Sequence, residues 1–128
     1  MKITRFEELD YWKEAIKLTQ MVYNAIKNNN NFQKDLRLCG QIQSAATSSM
    51  ANIAEGFIRR SNKEFIQFLF IAMSSAAEVQ SHFYVALDQS YVDNKNFNEI
   101  YDQANKTARL TSGLITYLRT HERTRPTK

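Results

Sequence analysis

Four side chains capable of chemistry crowd the middle of the chain: Asn52, Glu55, Arg59 and Arg60, in the stretch Ser49-Met50-Ala51-Asn52-Ile53-Ala54-Glu55-Gly56-Phe57-Ile58-Arg59-Arg60-Ser61. An amide and a carboxylate one helical turn apart could orient a proton or a polar ligand. Two arginines could grip phosphate. Catalysis would need a nucleophile, a base or a metal cluster beside them. Neither histidine supplies one. His82 falls beside a core face and reads as structural, and His121 falls in the tail. Glu55 and Glu78 belong to different helices and are expected to stand far apart. No Glu-x-x-His pair of the di-iron type occurs. Cys39 is the only cysteine; it excludes an internal disulfide and a CxxC metal site, and reads as a small buried hydrophobe. The expectation is a protein without enzymatic activity, metal or cofactor.

Those residues must be held by helices. Gly and Pro are scarce, and Pro126 is the only proline, which disfavours a turn-rich β fold. The spacing predicts four helices. The first covers about Glu7–Lys27, with Leu9, Trp12, Ile16, Thr19, Tyr23 and Ile26 inward. Asn28 to Asn31 predicts a loop. The second covers about Asp35–Ile58, with Cys39, Ile42, Ala46, Ser49, Ile53 and Phe57 inward. Ser61 and Glu64 form a capping box, which opens a third helix to about Asp88. Its stripe is Phe65, Leu69, Ala72, Ala76, Val79, Phe83 and Ala86. Asn96 with Glu99 predicts the cap of the fourth, which carries Phe97, Tyr101, Ala104, Ala108, Thr111, Ile115 and Leu118. The fold class expected is all-α, an antiparallel up-down-up-down four-helix bundle with left-handed packing, over residues 1–120. Residues 121–128 form a basic tail expected to be disordered. Thr19, Ser49 and Thr111 fit inside the stripes because a hydroxyl can bond its own helix backbone.

Polar residues collect on one flank of the second and third helices: Gln41, Ser48, Asn52, Glu55, Gln67 and Glu78. They predict a polar seam, with Gln41–Glu78 or Asn52–Gln67 hydrogen bonds across the two helices. Small residues dominate Ser44–Gly56 and Ala72–Ala77, which allows close packing within one bundle or against another subunit. Tyr11, Phe70 and Tyr84 fall off their stripes and are candidates for subunit contacts; Phe70→Asp is expected to disturb assembly.

The net charge is +4, and Arg119, Arg123, Arg125 and Lys128 against Glu122 account for most of it. The body is nearly neutral. The end of the second helix and the end of the fourth are expected to lie together, which would gather Arg59, Arg60, Lys63, Arg119, Arg123, Arg125 and Lys128 into a candidate nucleic-acid-binding end suited to phosphate backbone. The same cations also suit helix C-termini. The N-terminus lacks an apolar h-region, and no run is long enough to cross a bilayer. The chain is expected to be cytoplasmic, without a membrane partner.

The pattern Gln41-Ile42, Ala45-Ala46, Ser49-Met50-Ala51-Asn52-Ile53-Ala54-Glu55-Gly56 and Arg60, then Phe68-Leu69, Ala72, Ser75 and Glu78, resembles the bacterial family of 23S rRNA intervening-sequence proteins. Phe6, Leu9, Trp12 and Tyr91-Val92 also fit, and the likeness covers about residues 4–119. It implies a four-helix bundle, a ring-like homo-oligomer with a pentamer favoured, and no enzymatic activity. It also implies kinship with accessory proteins of diversity-generating retroelements, which contact reverse transcriptase and nucleic acid. Many members carry basic residues where this chain has Gln43 and Ser44, which argues against strong nucleic-acid binding. Two functions follow as expectations: an oligomeric scaffold that contacts itself or a partner protein, or an RNA- or DNA-binding protein that uses its basic end.

Overall fold

In a computed structural model that describes residues 3–121, the chain is all-α. A 3-10 turn, Phe6–Glu8, precedes α1 (Asp10–Lys27), α2 (Asn30–Lys34), α3 (Leu36–Phe57), α4 (Asn62–Asp88) and α5 (Asn94–Thr120). The four long helices close on one another: α3 packs on α4 and α1, and α5 packs on α4 and α1. Among the described residues there is no strand, and no helix is long and apolar enough to cross a membrane.

The structure departs from the periodicity in three respects, two at element boundaries and one in the face that α1 buries. The asparagine run is not a plain loop. Asn29 accepts a hydrogen bond from the Phe32 N–H at 2.8 Å and caps α2. Phe32 is fully buried and stacks on Tyr91 at 5.0 Å, so burial of one ring pins the short helix. The cap of α5 is Asp93, whose Oδ1 accepts from the Asn96 N–H at 2.8 Å, rather than Asn96 itself. The inward face of α1 is also rotated. Ala15, Leu18 and Val22 are buried, whereas Trp12 and Ile16 are half-buried and Tyr23 is exposed.

The other stripes stand closer to expectation. All the named positions of α3 and α4 are buried, and on α5 only Tyr101 and Ala108 are partly exposed. Ser61 caps α4 by accepting from the Glu64 N–H at 3.2 Å. At its other end α4 closes with a left-handed residue, Ser90 at φ 61°. The Tyr91 N–H there bonds the Ala86 carbonyl and the Ser90 N–H bonds the Leu87 carbonyl, which is a Schellman closure.

The core falls into two apolar clusters. One gathers Phe32, Ile42, Val79, Phe83 and Phe97; the other gathers Leu9, Ile53, Phe57, Phe65, Leu69 and Ile115. Between them lie buried hydroxyls, Ser49 on α3, Ser75 on α4, Thr107 and Thr111 on α5, and on α1 Thr19 sits at the border of the first cluster beside Leu18. Thr19, Ser49, Thr107 and Thr111 donate to their own helix backbone, and Thr19 also reaches the Ala46 carbonyl at 3.1 Å. Hydrogen bonding makes a polar belt tolerable inside an apolar bundle.

Candidate functional site

Gly56 fixes where α3 and α4 meet. A Cβ there would lie 2.8 Å from Phe65 Cδ1, 2.9 Å from Phe68 Cβ and 3.2 Å from the Phe65 carbonyl oxygen. Only a hydrogen atom fits, so the first turns of α4 press directly on the last turn of α3. That contact sets Arg59 over the Phe68 ring at 4.7 Å, a cation–π placement. Arg59 also pairs with Glu55, as the i, i+4 spacing leads one to expect. Arg59 is half-buried and part of its charge is answered locally.

Asn62, the first residue of α4, is buried. Its Nδ2 donates to the Leu118 carbonyl at 3.0 Å and to the His121 carbonyl at 2.8 Å. These are orphan carbonyls at the end of α5, so one amide ties the end of α5 to the start of α4. Lys63 and Arg119 consequently border one groove of about 450 Å³ with Gln67 and Phe70. The Arg119 guanidinium sits 5.7 Å from the centre of the Phe70 ring. Arg60 is exposed in the turn between α3 and α4. The same end carries Tyr117, stacked on the His121 ring at 4.1 Å and 9°.

Arg59, Arg60, Lys63 and Arg119 therefore stand at one end of the bundle. Arg59 and Arg119 lie against different rings of α4, Phe68 and Phe70, which points them to different flanks of that end. Arg123, Arg125 and Lys128 lie outside the described residues.

The polar seam is built differently from the expected pairs. Neither Gln41–Glu78 nor Asn52–Gln67 forms a hydrogen bond among the described residues. Asn52 turns back along its own helix and donates to the Ser48 carbonyl and hydroxyl, both at 2.9 Å. Side chains on a helix lean toward its N-terminus, which favours that return. Ser75 bridges the helices by donating to the Ser48 hydroxyl at 2.9 Å. Gln41 and Glu78 border a shared groove with Ser44 and His82. Gln67 belongs to the basic end instead. Asn62 and Tyr117 are contributors that the sequence reading did not single out, and Phe68 and Ser75 entered it only as part of the family pattern. Asn62, Phe68 and Ser75 act through partners outside their own helix, which no local spacing signals, whereas Tyr117 meets His121 at the local i, i+4 spacing.

Chemistry elsewhere is sparse. Among the described residues no group of three His, Cys, Asp or Glu side chains could hold a metal ion. Cys39 is buried and its thiol donates to the Phe32 carbonyl; burial and then the nearby Asp35 raise its pKa. Asp35 accepts from the Tyr91 hydroxyl at 3.0 Å, a bond that holds the phenol protonated above its ordinary range. A cleft of about 790 Å³ at the far end is lined largely by amides and hydroxyls, including Asn24, Asn28, Asn94 and Ser90.

Comparison with known proteins places this arrangement. The model of the 23S rRNA-intervening sequence protein family matches residues 7–113. The chain belongs to this family. A solved structure similar to it is a protein of unknown function from the S23 ribosomal protein family of Bacteroides thetaiotaomicron, with a TM-score of 0.76 and 24% identity. The match covers 82% of this chain and 97% of that one, and it concerns the fold. No curated protein matches the chain. The family match spans the Gly56 contact, the Ser48–Ser75 bridge and Arg59 to Lys63, and it ends before Arg119.

Proposed function

We propose that this family member is a non-enzymatic, cytoplasmic, homo-oligomeric scaffold, ring-like and with a pentamer favoured. Its helices would run up-down-up-down with left-handed packing. Residues that meet across α4 and α5 support that order, since Asn62 pairs with Leu118 whereas Tyr84 packs on Phe97.

One observation carries the assembly reading. The outward surface made by α3 and α4 is nearly free of charge. No charged residue occurs from Leu38 to Ala54 or from Phe65 to Ala77, yet Gly40, Ser44, Thr47, Ala51, Ile71 and Ser74 are exposed there. The outward faces of α1 and α5 carry Lys13, Lys17, Asp102, Lys106 and Arg109. A surface depleted of charge and bearing small and apolar residues is the composition of a buried contact, and a second copy of this chain is its occupant. Light scattering on a sizing column tests this: a mass near five times the 14.9 kDa chain is expected. Ala51→Arg and Ile71→Asp should each lower it. A monomer would end the reading.

A second reading has its own support. Arg59, Arg60, Lys63 and Arg119 share one end, and a ring would multiply them into a surface for RNA or DNA backbone. It predicts nucleic acid in the purified assembly, seen in the 260/280 absorbance ratio. It also predicts binding that weakens steeply with salt.

A further inference from the structure

The basic end holds rings as well as charges. Phe70 is 46% exposed with the Arg119 guanidinium beside it, and Lys63 and Gln67 border the same groove. Tyr117 is 53% exposed and already stacks face to face on His121. Phe68, half-buried, carries Arg59. Paired bases hide their faces inside a duplex, and only an unpaired base offers one to a protein ring. Phosphates need cations, and cations alone suffice for duplex backbone. Exposed rings interleaved with arginine and lysine are the combination that single strands require.

We propose that this end binds single-stranded nucleic acid by stacking an unpaired base on Phe70, while Lys63, Arg60 and Arg119 hold the phosphates. The proposal rests on the nucleic-acid reading above. Asn62 is the positioning residue, because its two bonds to the end of α5 hold Arg119 beside Phe70. Stacking engages a face that every base has, so the binding is sequence-tolerant.

Fluorescence anisotropy of the full chain at low ionic strength tests it, with a labelled oligouridylate, the matching oligodeoxythymidylate and a short RNA duplex as probes. Light scattering on every variant accompanies it. The single strands should bind about tenfold more tightly than the duplex. Phe70→Leu keeps an apolar side chain for packing but removes the ring, and it should weaken single-strand binding about tenfold at unchanged assembly mass. Phe70→Trp should restore it. A tighter fit for the uridylate than for the thymidylate would add a 2′-hydroxyl contact, and equal fits would assign the site to stacking and phosphate alone; either agrees with the proposal. Equal affinity for strand and duplex, with Phe70→Leu silent, overturns stacking and leaves the backbone reading standing. No binding to any probe overturns both. A Phe70→Leu variant that changes assembly mass but not affinity per chain assigns the ring to contact between copies and overturns the proposal.

Discussion

A methyl group on Gly56 would meet the Phe65 ring, the Phe68 Cβ and a backbone carbonyl at once. The carbonyl cannot swing away without moving α4. Gly56→Ala should therefore destabilise the fold by about 1–3 kcal/mol, the range for overpacked cores. Gly113 on α5 has nothing within 4 Å of the same methyl position. Gly113→Ala should stabilise by about 0.5–1 kcal/mol through helix propensity. Urea unfolding of the two variants checks the contrast. Glu14 gives a pH prediction at the same scale. The Gln103 amide, and then the charge of Lys106, hold its carboxyl below the usual carboxylate range. A lowered folded pKa means stability that is complete above the unfolded-state value and lost as pH falls through the folded one. Melting temperatures followed down from neutral pH should fall less steeply in Gln103→Leu than in the parent. The residues that touch one another were the least legible part of the sequence. Asn52 and Gln67 lay at the right angles for a cross-helix bond, but angles around a helix do not say whether a short amide reaches outward or back along its own backbone.

Helix ends carry the next scale. Asn62→Ala removes two hydrogen bonds to the end of α5 and leaves their carbonyls without them, a loss of about 1–3 kcal/mol. Amide exchange should then speed up in the last turn of α5 before it changes elsewhere. Ser90 sits in the left-handed region, which costs a side-chain-bearing residue about 1 kcal/mol. Ser90→Gly should raise the thermal midpoint by a few degrees. The elements themselves were largely readable. The named positions of α3 and α4 keep steps of three and four without a break, so their buried faces followed from spacing even though α4 also carries Ile66, Phe68, Phe70 and Ile71 off the stripe. On α1, Trp12, Ile16 and Tyr23 line one face and Ala15, Leu18 and Val22 the adjacent one. Both fit the helical period, and packing buries the smaller aliphatic set. The cap of α5 was misplaced because Asp93 and Asn96 are equally good N-caps three residues apart.

At the scale of the whole molecule the charge distribution is the main feature. Among the described residues α1 and α5 are dressed with lysines, arginines and carboxylates, whereas the stretches Leu38–Ala54 of α3 and Phe65–Ala77 of α4 carry none. That asymmetry was legible residue by residue, since it depends only on composition within each helix. That Arg59, Arg60, Lys63 and Arg119 share one end was legible too, but the distribution of Arg59 and Arg119 over two rings of α4 was not, because it depends on the rotation of Phe68 and Phe70.

The hydroxyl belt between the two apolar clusters bears on how the molecule comes apart. The belt hydroxyls contribute little apolar burial at the level they occupy, whether they bond their own helix or, like Thr19 and Ser75, a neighbour at the same level, so the two clusters are joined more weakly than either is held within itself. Cooperativity should break at that level. Native-state hydrogen exchange should resolve two opening units, one around Phe32 and Phe83 and one around Phe57 and Phe65. The second unit contains the basic end. That end should then open, and reshape the spacing of its rings, while the other half keeps the four helices in register.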